Sequence, residues 1–367
     1  MTRVLIACVG GFLGAGKTTA LVSASRELMA RGLNVGIITN DQGNHLIDTE
    51  VMRSLGLPTE EVAGGCFCCR FDDFVEHAGR ILDQGHPDII LAEAVGSCTD
   101  LSATVYQPLR QYYAHQFDLA PLSILVEPGR LRAFSSDLAN SFSKSVAYLF
   151  EKQLAEADLI VLNKSDLIEP AERKELAVSI QSRLGDLPVH SMSALMGWGV
   201  PGWIDLLFSR RTAGERILEI DYHTYAQAEA SLGWLNATLD ITSSRNFSPR
   251  ELGATLIRQI QQESIKAEAK IAHLKILVAT ADASDRIAVT DNQVQPQWSG
   301  DGKLSPASEA SIIVNARICT SPEELRKLVE DSLSIVATQL RVKAWLQHLE
   351  SFSPVPPGPR YRLEASN

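Results

Sequence analysis

Positive charge is what this chain is short of. Its 34 lysines and arginines are outnumbered by 44 aspartates and glutamates, for a net charge of −10. A general binder of nucleic acid or of an anionic membrane needs a positive field, so neither is expected as a partner. Cysteine is scarce as well. The six, Cys8, Cys66, Cys68, Cys69, Cys98 and Cys319, are not spread as a disulfide framework, and neighbours such as Cys68 and Cys69 are poorly placed to bond each other. That pattern points to a reducing compartment with metal or redox chemistry. Long apolar runs are missing too: no window reaches the roughly 20 residues of a membrane span. The apolar start, "RVLIACVGGFLGAG", is short and runs directly into a glycine-rich loop, so it reads as strand and loop rather than as a secretory signal. A cytoplasmic location is expected.

What is present is a sequence of 367 residues, long enough for two domains. Short apolar runs rich in Val, Ile and Leu recur at Arg3–Val9, Asn34–Asn40, Pro87–Glu93, Leu122–Glu127, Asp158–Asn163 and Leu187–Ser191. Such runs suit strands buried on both faces of a parallel sheet. Helical stretches lie between them, the first being Thr18–Arg31 with Gly32 as its C-terminal stop. The alternation predicts an α/β fold, a doubly wound and mostly parallel sheet, over residues 1–214. Beyond it the pattern changes to β-α-β-β-β-α, with Ser248 capping one helix and Glu251 three residues on. This predicts a smaller C-terminal α+β domain of ferredoxin-like type over 215–343, and a Pro-rich extended tail over 344–367.

Gly11-Phe12-Leu13-Gly14-Ala15-Gly16-Lys17-Thr18 follows a predicted strand and opens a predicted helix. This G-x-x-x-x-G-K-T pattern, in that context, is a P-loop. Its glycines let backbone N–H groups turn toward phosphate oxygens, and the helix N-terminus adds positive potential. Lys17 reaches the outer phosphates, and the hydroxyl of Thr18, ahead of Thr19, helps to hold Mg²⁺. The base is read further on. Asn163-Lys164-Ser165-Asp166 sits at a strand end, where a carboxylate such as Asp166 accepts from the ring N–H and exocyclic amine of guanine. Adenine lacks that donor pair, so GTP and GDP are the expected nucleotides. Ser193-Ala194 follows the last strand and completes the base pocket. Asp41 and Glu93 each fall at the carboxyl end of a strand, where such folds bind ligands, and are candidates for Mg²⁺ and water.

Three thiols crowd into "GGCFCC", Gly64 to Cys69. Clustered thiolates at Cys66, Cys68 and Cys69 suit Zn²⁺ or Co²⁺ with an open coordination position. Buried inert cysteines and a redox pair are the alternatives.

"GGFLGAGKTTAL", then "NDQG" and "IDTE", "GGCFCC", the E-x-x-G of Glu93 to Gly96, and "EKQLAEADLIVLNKSDL" follow one another in this order. The series resembles the CobW-like family of P-loop GTPases, a metallochaperone group. The resemblance covers about the first two hundred residues. It implies a Mg²⁺-dependent GTPase whose C-x-C-C thiols carry a transition metal, commonly zinc, to a client metalloprotein or a cofactor-synthesis enzyme. Relatives of this kind often dimerise, which makes a homodimer an expectation. Slow intrinsic turnover is expected, because no arginine finger or glutamine stands out to complete the transition state. A GTP-gated assembly module for a cofactor enzyme, such as a corrinoid one, is the alternative, with cysteines that carry no metal. A zinc sensor or store is a third.

The chain departs from the family pattern in places. The aromatic of the acidic-aromatic-Gly stretch is missing at Asp41-Gln42-Gly43, and Ala94 and Val95 replace hydroxyl residues. The eight histidines are scattered rather than gathered in a run. Cys98, just beyond Glu93, and His45, in the expected switch segment, are the candidates for an extra metal ligand, against the readings of a small packed residue and a solvated loop residue.

Overall fold

The computed structural model describes residues 3–41, 56–136, 144–209, 213–300 and 302–363, the side chains of 41, 135 and 136 apart. The chain divides into two compact units. The first takes the described chain up to Ala228 and takes it up again from Pro356, and the second holds Glu229–Val355. The second unit thus starts later than the expected boundary after residue 214.

The first unit is a doubly wound sheet. Its strands are β1 (Val4–Gly10), β2 (Val35–Asp41), β3 (Thr59–Ala63), β4 (Ile89–Glu93), β5 (Phe117–Leu119), β6 (Ser123–Val126), β7 (Leu159–Leu162) and β8 (Val189–Ser191). They run in the order β3-β2-β4-β1-β6-β7-β8, with β5 beside the start of β1. Every pairing is parallel. All residues of β4, β6 and β7 are buried, as the uninterrupted apolar runs require of strands covered on both faces.

The register aligns the functional strand ends. Val9 of β1 pairs with Glu93 of β4, Ile38 of β2 with Ala92, and Asp41 with Ala63 of β3. The P-loop after β1, the acid that ends β4 and the cysteine loop after β3 therefore lie at one edge of four adjacent strands, where ligands of such sheets bind.

The first helix runs Lys17–Ala30 and stops as the sequence predicts: Gly32 takes φ +80°, and its N–H bonds back to Met29 O. The helix Phe71–Gly85 buries Phe71, Phe74, Ala78 and Ile81, a three-and-four spacing that forms one face. Burying each of its phenylalanines is worth about 1.5–3 kcal/mol. His77 Nδ1 lies 2.7 Å from Glu60 Oε2, which ties this helix to β3.

The second unit has strands β9 (Gly233–Phe247), β10 (Lys270–Ala279), β11 (Ser284–Val289), β12 (Gln297–Trp298), β13 (Ala307–Cys319) and β14 (Lys343–Phe352). They form an antiparallel sheet in the order β12-β11-β10-β13-β9-β14. With the β11–β12 addition set aside, this is the β-α-β-β-α-β ferredoxin-like order. Its helices are Pro249–Lys266 and Pro322–Leu340. Ser248 caps the first by accepting from Glu251 N, and Ser321 and Glu324 form a full capping box on the second. From its Pro-rich sequence, 344–367 is expected to be an extended tail. Residues 343–352 are instead a strand along β9, and β14, as an edge strand half open to water, lacks a continuous apolar run.

Candidate nucleotide and thiolate sites

The loop after β1 has the backbone that a phosphate cradle needs. Gly11, Gly14 and Gly16 take φ of +129°, +82° and +86°, a region that side chains with a Cβ rarely adopt. A Cβ on Gly16 would also stand 2.5 Å from Asn163 Nδ2. Lys17 and Thr18 are buried at the first turn of the helix, and Thr19 follows them half-buried. Lys17 Nζ donates to Gly11 O at 2.8 Å, so its ammonium lies across the loop. Thr18 Oγ1 donates to Glu93 Oε1 at 3.0 Å. A hydroxyl and a carboxylate that meet beside a P-loop lysine are hard oxygen donors, a set that fits Mg²⁺. Asp41 ends β2, but its side chain lies outside the described residues. His45, Gln42 and Gly43 lie outside them altogether.

The Asn163–Asp166 segment is built into the same cradle. Asn163 Nδ2 donates to Ala15 O at 2.8 Å, and Asn163 Oδ1 accepts from Ala194 N at 2.9 Å. One buried amide thus joins the P-loop to the loop after β8. Ser193 is buried there and its hydroxyl accepts from Met196 N. Lys164 sits at φ +56°. Burial of its ammonium pulls its pKa down, against the upward pull of Glu127 and Asp166. Asp166 is exposed.

The cysteine loop is one tight turn. Gly64 turns at φ +74°, and the N–H groups of Cys69 and Arg70 both donate to Cys66 O at 3.0 Å. Phe67 is fully buried against Phe74, with ring centroids 4.7 Å apart, and anchors the turn. The sulfurs of Cys66, Cys68 and Cys69 all lie within 4.8 Å of one another. Cys69 Sγ is 3.4 Å from that of Cys66 and 3.7 Å from that of Cys68. Three converging soft donors fit zinc or cobalt. Cys66 and Cys68 are paired as a disulfide, Cα atoms 5.4 Å apart. This is a pair of the redox kind that the sequence leaves open beside the metal site, and the turn allows it by bringing positions two apart together. The ligand set is complete only once that bond is reduced, because thiolates are what bind metal.

Cys98 is buried with its Sγ toward Thr99 O at 3.9 Å, and it is not in the thiol cluster. Cys8 lies in the middle of β1, where burial pushes its thiol up to about 12 against a hydrogen bond from Tyr106. Its role is packing.

The sequence reading missed several residues. Asn40 holds the cysteine loop: its Nδ2 donates to Val62 O at 2.8 Å and Gly65 O at 2.6 Å, and its Oδ1 accepts from Phe67 N at 3.0 Å. The signal was available, since a polar residue at the end of an apolar strand beside Asp41 needs a reason. The loop after Glu93 is clamped from the helix Lys144–Ala155 and the residue beyond it. Gln153 Nε2 donates to Gly96 O and Cys98 O at 3.0 and 2.9 Å, and Glu156 accepts from Thr99 Oγ1 at 3.0 Å. Burial pushes the Glu156 carboxyl up to about 8, against the pull of Thr99 and with Asp100 adding to the rise. Arg130, also buried, stacks its guanidinium 5.4 Å above the ring of Phe12 in the P-loop.

These features define a P-loop nucleotide-binding protein with a thiol cluster beside the cradle. The nucleotide-binding domain of CobW/HypB/UreG matches residues 5–190, and the chain belongs to that family. A zinc chaperone CobW from Sinorhizobium sp. is 31% identical over 202 residues, covering 49% of this chain and 56% of that protein. The zinc chaperone YeiR of Escherichia coli (strain K12) is 32% identical over 203 residues, covering 52% and 55%. The chain thus spans about half the length of these curated relatives. Among solved structures, the Zn(II)-bound YjiA GTPase from E. coli aligns over 90% of this chain and 99% of its own, at 15% identity and a TM-score of 0.34.

Proposed function

We propose that this chain is a GTP-hydrolysing metallochaperone that takes a transition metal, zinc first, on Cys66, Cys68 and Cys69 and passes it to a client metalloprotein or cofactor-synthesis enzyme. The observation that carries this reading is the meeting of three sulfurs within 4.8 Å on a loop that leaves the same sheet edge as the P-loop. GTP is the substrate of the cradle. Lys17 neutralises its outer phosphates, and the N–H groups of 14–18 surround them. Thr18 and Glu93 would hold Mg²⁺, whose charge offsets the charge that builds on the phosphates. Asp41 orients the attacking water. Asn163 fixes the base pocket, and Asp166 selects guanine. Zinc is cargo. Three sulfurs leave one position for a client's ligand to enter, which suits transfer better than storage.

The test is a Zn²⁺ competition titration on reduced protein with Mg²⁺ and a non-hydrolysable GTP analogue, with Mg²⁺-GDP, and without nucleotide, repeated on Cys66→Ser. One zinc per chain, lost in the variant, with an affinity that differs about tenfold between nucleotide states, is the expected result. Tight binding that ignores the nucleotide would make the site a store or a structural zinc. No stoichiometric zinc would leave the GTP-gated assembly module as the reading.

A further inference from the structure

The last described residues, Pro356–Leu363, lie over the cysteine loop and are tied down at both ends. At one end Gly358 N donates to Cys69 Sγ at 3.3 Å, Arg360 N donates to Cys68 O at 3.3 Å, and Arg360 pairs with Asp72. In the middle the ring of Tyr361 packs on Phe71 and Tyr112, with centroids at 5.4 and 5.8 Å. At the other end Arg362 Nε pairs with the buried Asp100 at 2.8 Å, and Leu363 N donates to Ala103 O at 3.0 Å. Asp100, at φ +68°, belongs to the loop that follows Glu93.

The sequence of the segment is as telling as its contacts. In Pro356-Pro357-Gly358-Pro359 three of four residues have no backbone N–H. Gly358 supplies the one donor of that stretch, and it is directed to a sulfur of the thiol cluster. Prolines also hold such a segment extended in advance, so little conformational entropy is lost when it lies down.

We propose that Pro356–Leu363 is a strap that covers the thiol site in cis, with the Gly358 N–H positioning Cys69, and that the strap must lift before Cys69 can exchange a ligand with a client. A client's extended, proline-containing segment would replace it on the same surface. Arg362 on Asp100 ties the strap to the loop after the nucleotide-contacting Glu93, so a shift of that loop loosens the cover. The release step rests on the metallochaperone reading, whereas the cover itself does not.

The test uses three variants of the full protein: a chain ending at Val355, Gly358→Pro, which removes the N–H, and Gly358→Ala, which keeps it. A Cβ on Gly358 meets nothing within 4 Å, so the alanine is a fair control. Reduced, metal-free protein is treated with iodoacetamide, and labelling at each cysteine is followed by peptide mass spectrometry. Nucleotide-analogue affinity and thermal unfolding report that the fold is kept. The rate constant of the Cys69 thiolate, read at the high-pH plateau of the labelling rate so that a change in thiol pKa does not enter, should be about fivefold higher in the shortened chain and in Gly358→Pro, the effect of losing roughly one hydrogen bond, with Gly358→Ala at the wild-type value. A wild-type rate in Gly358→Pro, or equal acceleration in Gly358→Ala, overturns the strap. The same proteins loaded with Co²⁺ and challenged with EDTA should give up metal in the same order. If none binds Co²⁺, the metallochaperone reading fails while the alkylation result still judges the strap.

Discussion

The nucleotide cradle and the thiol loop leave the same sheet edge, yet they are held by different means. The cradle is mostly local. Its glycine turns, its lysine and its threonine lie within eight residues, Gly11 to Thr18, and one long-range amide from Asn163 joins them to the loop after β8. The thiol loop is held from afar, by Asn40 on the neighbouring strand β2 and by the strap some 290 residues later in the chain, whose Gly358–Cys69 contact has a sequence separation of 289. A local site tolerates change elsewhere in the chain. A site assembled from distant segments can be switched by moving one of them.

The largest expected effect tests whether the two sites are separable. Lys17→Ala should cut GTP hydrolysis by at least about 10²-fold, since it removes the cation aimed at the developing phosphate charge. Zinc affinity without nucleotide should be unchanged. A parallel loss of zinc would mean that the cradle and the loop are one structural unit and the comparison is false. The converse is Cys66→Ser, which should lower zinc affinity by about 10²-fold or more and leave the affinity for a GTP analogue as it was, read by the same titration.

Asn40→Ala sharpens the point without touching a thiol. It leaves Phe67 N without its buried acceptor and two carbonyls without their donor. Each buried group so orphaned costs about 1–3 kcal/mol. A supporting partner of this type should change metal affinity by about 10–100-fold. Zinc titration and thermal unfolding of the variant measure both. Full zinc affinity at lowered stability would mean that Asn40 supports the fold and not the loop geometry.

The same contrast sets what was readable in the sequence. β4, β6 and β7 were legible because both faces are buried and every position is apolar. β3 was missed because it is an edge strand whose Glu60 and Glu61 break the apolar run, and charge at an edge is what protects it from pairing. β14 lies at the edge of the other sheet and was missed for the same reason. The P-loop and the N-K-x-D segment were readable because their chemistry is contiguous. The three cysteines were readable as a cluster. Their disulfide pairing, the hold of Asn40 and the return of the Pro-rich end onto the loop were not, because each depends on which distant segments the fold brings together.

The smallest expected effect concerns the loop between the two sites. Glu156 is fully buried, and its carboxyl is pushed up to about 8 from an ordinary 4.5. Below about 4.5 the folded and unfolded chains both hold this proton. Between 4.5 and 8 only the folded chain holds it, so the group's contribution to stability falls as pH rises through that window and levels off above it. Glu156→Gln cannot titrate. It keeps an acceptor for Thr99 Oγ1 but not a second one for Ser102 N, so its stability starts about 1 kcal/mol lower. The informative quantity is the slope. Melting temperatures at pH 5, 6.5 and 8 should show the variant gaining steadily on the wild type as pH rises. Parallel curves would mean that the carboxyl titrates alike in both states. The loop that joins Glu93 to Asp100 would then carry no buried proton, and its clamp would reduce to Gln153.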